Sequence, residues 1–251
     1  MAPYNIIENS PNFMTYNGTH LFHYTSFASA LKIISSQRLL FGDFNNMNDI
    51  SESRREIFDD VAIAELNRYK SISFTKDKRE KRGFEIESLW GYYAEKGNGA
   101  CLVFDKSKLI LQLKGKKEFH RYGQIQYTKN FTNAVFFEDG VESVNKQIER
   151  RYRDIFFTKS MDWRMENEYR FLIRSEQDNN DFLEYEDALI AVIICMPLAK
   201  SIIETCEYQI LKKCVGVPIL QYHTSLGNKT LSVVGEDVLW PLFGIDYFLD
   251  I

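Results

Sequence analysis

The sequence has few cysteines and prolines, and it lacks the glycine-rich loops that hold nucleotides in many enzymes. Four cysteines stand among 251 residues, with no spacing typical of zinc ligands or of a disulfide framework, which favours a reducing cytosol. No proline lies between Pro11 and Pro197, and no apolar run reaches the length of a membrane span. Without a Rossmann or P-loop fingerprint, a nucleotide would have to be held in another way.

The balance of charge is mildly acidic. A net charge of -4 and a pI near 5.7 argue against nucleic-acid binding by the whole surface, and they leave a local basic patch open. The N-terminus has no basic region followed by an apolar core, so we expect no signal peptide and a cytoplasmic location without membrane attachment. Aromatic residues make up 14% of the chain, which favours strands and binding clefts over a plain helical bundle.

Hydrophobic patterning predicts one α+β domain over residues 19–251, preceded by a loosely ordered lead-in at 1–18. Strands and helices follow one another without regular alternation, and several strands alternate polar with apolar residues, which indicates antiparallel sheets. A charged loop is expected before residue 123, and the part from Ala188 onward is expected to be structural. The predicted strands are 20–25, 39–41, 71–75, 100–104, 123–127, 169–174, 188–195, 218–222 and 231–234, and the predicted helices are 27–37, 51–69, 84–94, 132–159 and 199–214.

The most informative stretch runs from Trp163 to Arg174. In an extended chain, alternate side chains point to opposite faces, so Glu168 and Arg170 share one face, and Glu166 joins them if the extended conformation begins early. Two carboxylates beside an arginine can do electrostatic work. The same pattern also fits the wet face of an amphipathic strand.

Three other short patterns precede this stretch: His23-Tyr24-Thr25, Ser73-Phe74-Thr75 and Trp90-Gly91-Tyr92-Tyr93. Each has a structural interpretation, since a strand histidine is more often a core or edge residue than a catalyst and Trp90 is more often core than a stacking platform. Because polar side chains recur on the polar faces of three strands, we predict that one cleft is lined by His23, Thr25, Ser73 and Glu168.

The order of these motifs resembles a large bacterial family of unknown function, some relatives of which are linked to abortive infection against phage. The resemblance covers about residues 20 to 175 and rests on five motifs in order: Leu-Phe-His-Tyr-Thr-Ser, Asn-Met-Asn-Asp, Ser-Phe-Thr, Leu-Trp-x-x-Tyr and Glu-x-Glu-Tyr-Arg. That family in turn resembles the ADP-ribosyltransferase superfamily. The resemblance implies the fold of that superfamily, split antiparallel sheets with surrounding helices. The sequence departs from the poly-ADP-ribose polymerase branch at Tyr24, where that branch has glycine.

The resemblance also implies roles for single residues. Glu168 is implied as the catalytic carboxylate that stabilises an oxocarbenium-like ribose, and Glu166 as the residue that orients the acceptor, as in the arginine-modifying branch. Arg170 is implied either to steady the glutamate or to meet the diphosphate. The remaining cofactor-binding residues are those that hydrogen-bond NAD or stack on its nicotinamide ring: His23, Tyr24, Thr25, Ser73, Thr75 and Trp90.

Three functions follow as expectations. The first is an NAD-dependent ADP-ribosyltransferase, a toxin or phage-defence effector that modifies a protein, RNA or DNA and has an antitoxin or chaperone partner. The second is a non-catalytic binding or regulatory protein with the same fold. The third, a nuclease or hydrolase using His23 or His120 with carboxylates, is disfavoured by the absence of metal-ligand spacing.

Overall fold

The computed structural model describes residues 18–49, 60–78, 81–129, 137, 143–175, 181–195, 216–225, 228–233 and 239–241. The helices among them are α1 (Phe27–Ser36), α2 (Asp60–Leu66), α3 (Glu87–Tyr93), α4 (Lys106–Lys114), α5 (Val144–Arg150) and α6 (Tyr152–Phe156). The strands are β1 (His20–Thr25), β2 (Arg38–Leu40), β3 (Gly42–Asp43), β4 (Tyr69–Thr75), β5 (Ala100–Asp105), β6 (His120–Gln124), β7 (Gln126–Thr128), β8 (Thr158–Ser160), β9 (Glu168–Arg174), β10 (Phe182–Glu184), β11 (Leu189–Ile194), β12 (Ile219–Ser225), β13 (Asn228–Val233) and β14 (Leu239–Pro241). The predicted mixture of helices and strands is confirmed, and the sheets are open.

The chain divides into two compact units, each assembled from separate segments. The first unit comprises Met1–Leu31, Lys76–Asp105 and Ile190–Ile251, and the second comprises Lys32–Thr75 and Lys106–Leu189. The single domain over 19–251 stays a prediction. The lead-in at 1–18 lies outside the described residues except for Gly18.

In the first unit, strands are ordered β14-β13-β12-β11-β5-β1. β1 runs antiparallel to β5, with His23 opposite Leu102, whereas β11 and β12 are parallel. The expectation of purely antiparallel sheets is therefore wrong. A parallel pair of consecutive strands needs a crossover connection of about a dozen residues or more, and the segment between β11 and β12 is long enough to supply it.

An aromatic core fills the first unit. Alternation along β1 sends Phe22 and Tyr24 into it, and the Tyr24 hydroxyl donates to the carbonyl of Gly83 at 2.7 Å. A side chain at Gly83 would collide with the Phe22 ring, because a Cβ there would stand 2.2 Å from it. The C-terminal strands contribute Leu220, Tyr222 and Leu231 to the same cluster.

In the second unit, β9 lies between β4 and β6, antiparallel to both, and β3 adds to β4. Two small sheets accompany them: β10 with β2, antiparallel, and β7 with β8, parallel. The face of β9 that carries Leu172 is covered by an apolar cluster: Phe44, Leu66, Tyr69, Ile125, Ile148, Phe156 and Phe157. A face that the sequence assigns equally well to solvent is therefore buried.

Several predicted elements are wrong in type or extent. The charged loop expected before residue 123 begins with helix α4, because Leu109 and Leu113, four residues apart, bury one helical face among its lysines. The long helix expected at 132–159 is replaced, in its described part, by α5, α6 and β8. The helix expected at 51–69 ends at Leu66, and Tyr69 already begins β4. The helix expected at 199–214 lies outside the described residues.

Candidate active site

Four charged side chains contact one another at the start of β9 in the second unit. We name Lys159, Glu166, Glu168 and Arg170 the buried charge network, since their exposed fractions are 4%, 5%, 2% and 0%. Burying an unpaired charge is costly, so such groups persist in a fold only when they are paired and hydrogen-bonded. The network contains two carboxylates and two cations, and its formal charges balance.

Each member of the network is tied to another by short contacts. Arg170 grips Glu168 with two nitrogens, Nε at 2.7 Å from Oε1 and Nη2 at 3.0 Å from Oε2. The Nζ of Lys159 lies 2.8 Å from Oε2 of Glu168 and 2.9 Å from Oε2 of Glu166. Lys159 thus bridges the two carboxylates.

Backbone alternation in β9 explains how Glu168 and Arg170 reach the same side, as predicted. Arg170 then lies over the Phe44 ring at 5.3 Å and donates through Nη1 to the carbonyl of Phe156 at 2.6 Å. The contacts of Arg170 with Glu168 match one of the two roles expected for the arginine, that of steadying the glutamate, and the role itself stays a prediction. Its guanidinium, fully buried, is committed to contacts within the second unit.

Glu166 reaches the network by a different route from the one expected. The extended conformation does not begin early: Met161–Glu166 is a 3₁₀ helix, and Asn167 has a left-handed backbone with φ 45°. Asparagine tolerates this conformation better than most residues, so it reverses the chain between helix and strand. The two glutamates therefore approach Lys159 from separate elements rather than from one strand face.

β4 supplies a hydroxyl to the network. In the antiparallel register Ser73 stands opposite Arg170 and Thr75 stands opposite Glu168. The Oγ of Ser73 reaches diagonally and donates to Oε1 of Glu168 at 2.6 Å. Ser73 and Glu168, two of the four side chains predicted to line one cleft, are thus in direct contact, and Thr75, which is buried, lies two residues from Ser73 on β4.

The carboxyl group of Glu168 stays ionised. Burial alone would raise its pKa, but the charges of Arg170 and Lys159 and their hydrogen bonds outweigh that effect and lower the pKa to about 2. Nearby Tyr127 accepts the backbone N–H of Glu168 at 2.9 Å, and burial raises the pKa of its hydroxyl, so that group stays neutral. Glu168 therefore carries a fixed negative charge at neutral pH, within a network whose formal charges balance.

The lowered pKa predicts how stability depends on pH. A carboxyl whose pKa is lower in the folded state stabilises the fold above its ordinary value of 4.5, and that contribution disappears as the pH falls towards 2. We expect Glu168 to contribute on the order of 3 kcal/mol between these limits. Urea unfolding at a series of pH values checks this, with the double variant Glu168→Gln/Arg170→Met as a control that should lose less stability in acid. Parallel losses in both proteins would contradict the prediction.

The other predicted site residues belong to the first unit. Tyr24 and Trp90 are buried in its core with ring centroids 5.2 Å apart, and the indole N–H donates to the carbonyl of Phe84 at 2.8 Å. His23 and Thr25 are half-buried on β1. A cleft shared by His23, Thr25, Ser73 and Glu168 stays a prediction.

Two members of the site were missed from the sequence. Lys159 falls at the end of a segment expected to be helical, and Tyr127 lies at the end of a predicted strand, between Gln126 and Thr128. Neither has a local signal, since their roles depend on β7 and β8 pairing in parallel beside β9. In the described part of the chain, no three histidine, cysteine, aspartate or glutamate side chains gather as a metal ion would require.

Comparison with known proteins gives one similarity. Residues 89–171 match DUF2971, a family described as protein of unknown function. The matched segment is less than half of the chain, and it contains Trp90 and the whole buried charge network. No curated protein and no solved structure matches the chain. Within the described residues, no helix is long and apolar enough to cross a membrane.

Proposed function

We propose that the protein is an NAD-dependent ADP-ribosyltransferase and that Glu168 is its catalytic carboxylate. One observation carries the proposal: an ionised glutamate is fixed by a serine hydroxyl on the paired strand, 2.6 Å away, and by an arginine two residues along. A fixed charge of this kind costs no reorganisation when positive charge develops beside it.

The chemistry breaks the bond between nicotinamide and C1′ of the ribose. The departing ring leaves an oxocarbenium-like ribose, and a carboxylate stabilises the positive charge. The acceptor then bonds to C1′ and releases its proton. Ser73 and Arg170 act as positioning residues. Because Oε2 of Glu168 contacts both Lys159 and Arg170, a ribose hydroxyl has to replace Lys159 there before the carboxylate can act.

The acceptor is proposed to be a macromolecule, and the setting is proposed to be a toxin or phage-defence effector with an antitoxin or chaperone partner, by the resemblance given above. Incubation with labelled NAD and a cell lysate tests this. We expect nicotinamide release together with label in a protein, RNA or DNA fraction. Unchanged NAD in the presence of every fraction would contradict the proposal.

Ser73→Ala offers a test that leaves the buried charges balanced. The variant loses one hydrogen bond to an ionised group, which contributes about 1.5–3 kcal/mol, so nicotinamide release should slow by about tenfold to a hundredfold. Ser71→Ala is the matched control, because Ser71 is also buried on β4 and its hydroxyl has no hydrogen-bond partner among the described residues. Equal rates for the two variants would count against a role for the Ser73–Glu168 contact.

A non-catalytic binding or regulatory protein is the second candidate, and a separate observation favours it. Glu168 is only 2% exposed, and both of its oxygens are engaged by the side chains of Ser73, Arg170 and Lys159. In that case the network holds the second unit together, and NAD is neither bound nor consumed. Calorimetric titration with NAD separates the two candidates, because binding of NAD is required only by the first.

A further inference from the structure

We propose that the surface around β6 binds single-stranded nucleic acid. The surface consists of cations that lie beside half-buried aromatic rings on both sides of this strand. We name it the basic–aromatic surface, and it contains Lys114, Phe119, Arg121, Tyr122, Tyr152 and Arg153. The inference stands apart from the proposed NAD chemistry, because it concerns binding and needs no NAD.

The charge of this region is opposite to that of the whole chain. Within residues 106–129 the sequence has one acidic residue, Glu118, and seven basic ones: Lys106, Lys108, Lys114, Lys116, Lys117, Arg121 and Lys129. Helices α5 and α6, with Arg151 between them, add four basic residues, Lys146, Arg150, Arg151 and Arg153, against two acidic ones, Glu149 and Asp154. A local excess of positive charge in a chain of net charge -4 is the pattern expected of a surface that binds a polyanion.

Arg121 is the centre of one side of the surface. Its guanidinium lies 4.2 Å from the ring centroid of Phe119 and 5.2 Å from that of Tyr152. Its Nη1 donates to the carbonyl of His120 at 2.8 Å, which fixes the plane of the group. The guanidinium of Arg153 also lies over the Tyr152 ring, 5.6 Å from its centroid, and its Nε donates to the Tyr152 hydroxyl at 3.1 Å.

The opposite side of β6 repeats the pairing. Strand alternation turns Tyr122 away from Arg121, and the Nζ of Lys114 on α4 lies 6.0 Å from the Tyr122 ring. Tyr122 packs edge-on against Phe171, with ring centroids 6.2 Å apart. β6 ends the strand order of its sheet among the described residues, so these side chains flank an edge.

Single-stranded nucleic acid matches this combination better than other polyanions. Its phosphates are recognised by arginine and lysine, and its unpaired bases stack on aromatic rings and on guanidinium planes. A duplex keeps its bases stacked inside, so it can use only the charges. An acidic polypeptide likewise has no bases for the rings. RNA and single-stranded DNA share the chemistry, and the 2′-hydroxyl distinguishes them.

Fluorescence anisotropy with labelled single strands of about twelve nucleotides, one RNA and one DNA, tests the proposal without NAD. We expect binding that weakens with salt, with a slope of log K against log salt near -3 if about four phosphates are neutralised. Arg121→Gln should weaken binding by about tenfold and reduce the slope by about 0.7. Lys114→Gln, which changes an exposed lysine of the same surface, should give a similar loss.

Arg38→Gln is the matched control. Arg38 also lies over an aromatic ring, 5.1 Å from the centroid of Phe182, but it stands outside the basic–aromatic surface and opposite Glu184. It should bind as the parent does. Three results would each overturn the proposal: no binding by the parent, equal losses for Arg38→Gln and Arg121→Gln, or equal affinity for polyglutamate and RNA. A preference for RNA over DNA, or the reverse, supports it and identifies the type of strand.

Discussion

Replacing Arg170 by methionine is expected to destabilise the protein by about 3–5 kcal/mol, a large share of the ~5–15 kcal/mol that a folded domain has. The variant leaves Glu168 buried at 2% exposure with two carboxylates facing the single charge of Lys159. It also leaves the carbonyl of Phe156 without its donor. Urea unfolding at neutral pH measures the change in the free energy of unfolding.

The matched control is the double variant Glu168→Gln/Arg170→Met. It removes one acid and one base together and leaves the Lys159–Glu166 pair at 2.9 Å. Replacing a buried ion pair by neutral groups of similar volume is often nearly neutral, so the double variant should recover most of the stability lost in Arg170→Met. Additive losses would show that the two side chains stabilise the fold independently, against the network as described.

Glu168→Gln alone should reduce nicotinamide release by roughly two orders of magnitude or more, since one preorganised charge contact contributes about 3 kcal/mol to such reactions. The sequence alone predicts that this variant folds normally. The structure changes that expectation, because Lys159 and Arg170 would be left with only the charge of Glu166. Glu166→Gln should reduce transfer to the acceptor more than cofactor cleavage, since the resemblance to the arginine-modifying branch implies that Glu166 orients the acceptor. Assays of nicotinamide release and acceptor labelling for both variants check the contrast.

Local patterns predicted those parts of the site that depend on alternation along one strand. Glu168 and Arg170 share a face of β9, and Ser73 meets them because β4 is its antiparallel neighbour. The sequence pattern of β9 fits a solvent-exposed polar face equally well, because it does not show which elements pack against that face. Phe44 and the cluster around it bury that face, and they come from elements distant in sequence.

Other features required the tertiary structure. Lys159 belongs to the network because β8 pairs in parallel with β7. No local sequence pattern predicts this pairing. The many lysines of α4 favour a charged loop, whereas Leu109 and Leu113, four residues apart, form the buried face of a helix. Tyr24 and Trp90, expected to stack on nicotinamide, have rings buried in the core of the first unit, so the proposed chemistry does not depend on them.

The most direct measurement compares nicotinamide release from NAD by the parent protein and by Glu168→Gln/Arg170→Met, with a cell lysate as the source of acceptor. Circular dichroism and urea unfolding first establish that both proteins are folded. The proposed function predicts release by the parent and a rate at least about a hundredfold lower for the double variant. Equal release by the two folded proteins, or none by the parent, would contradict it.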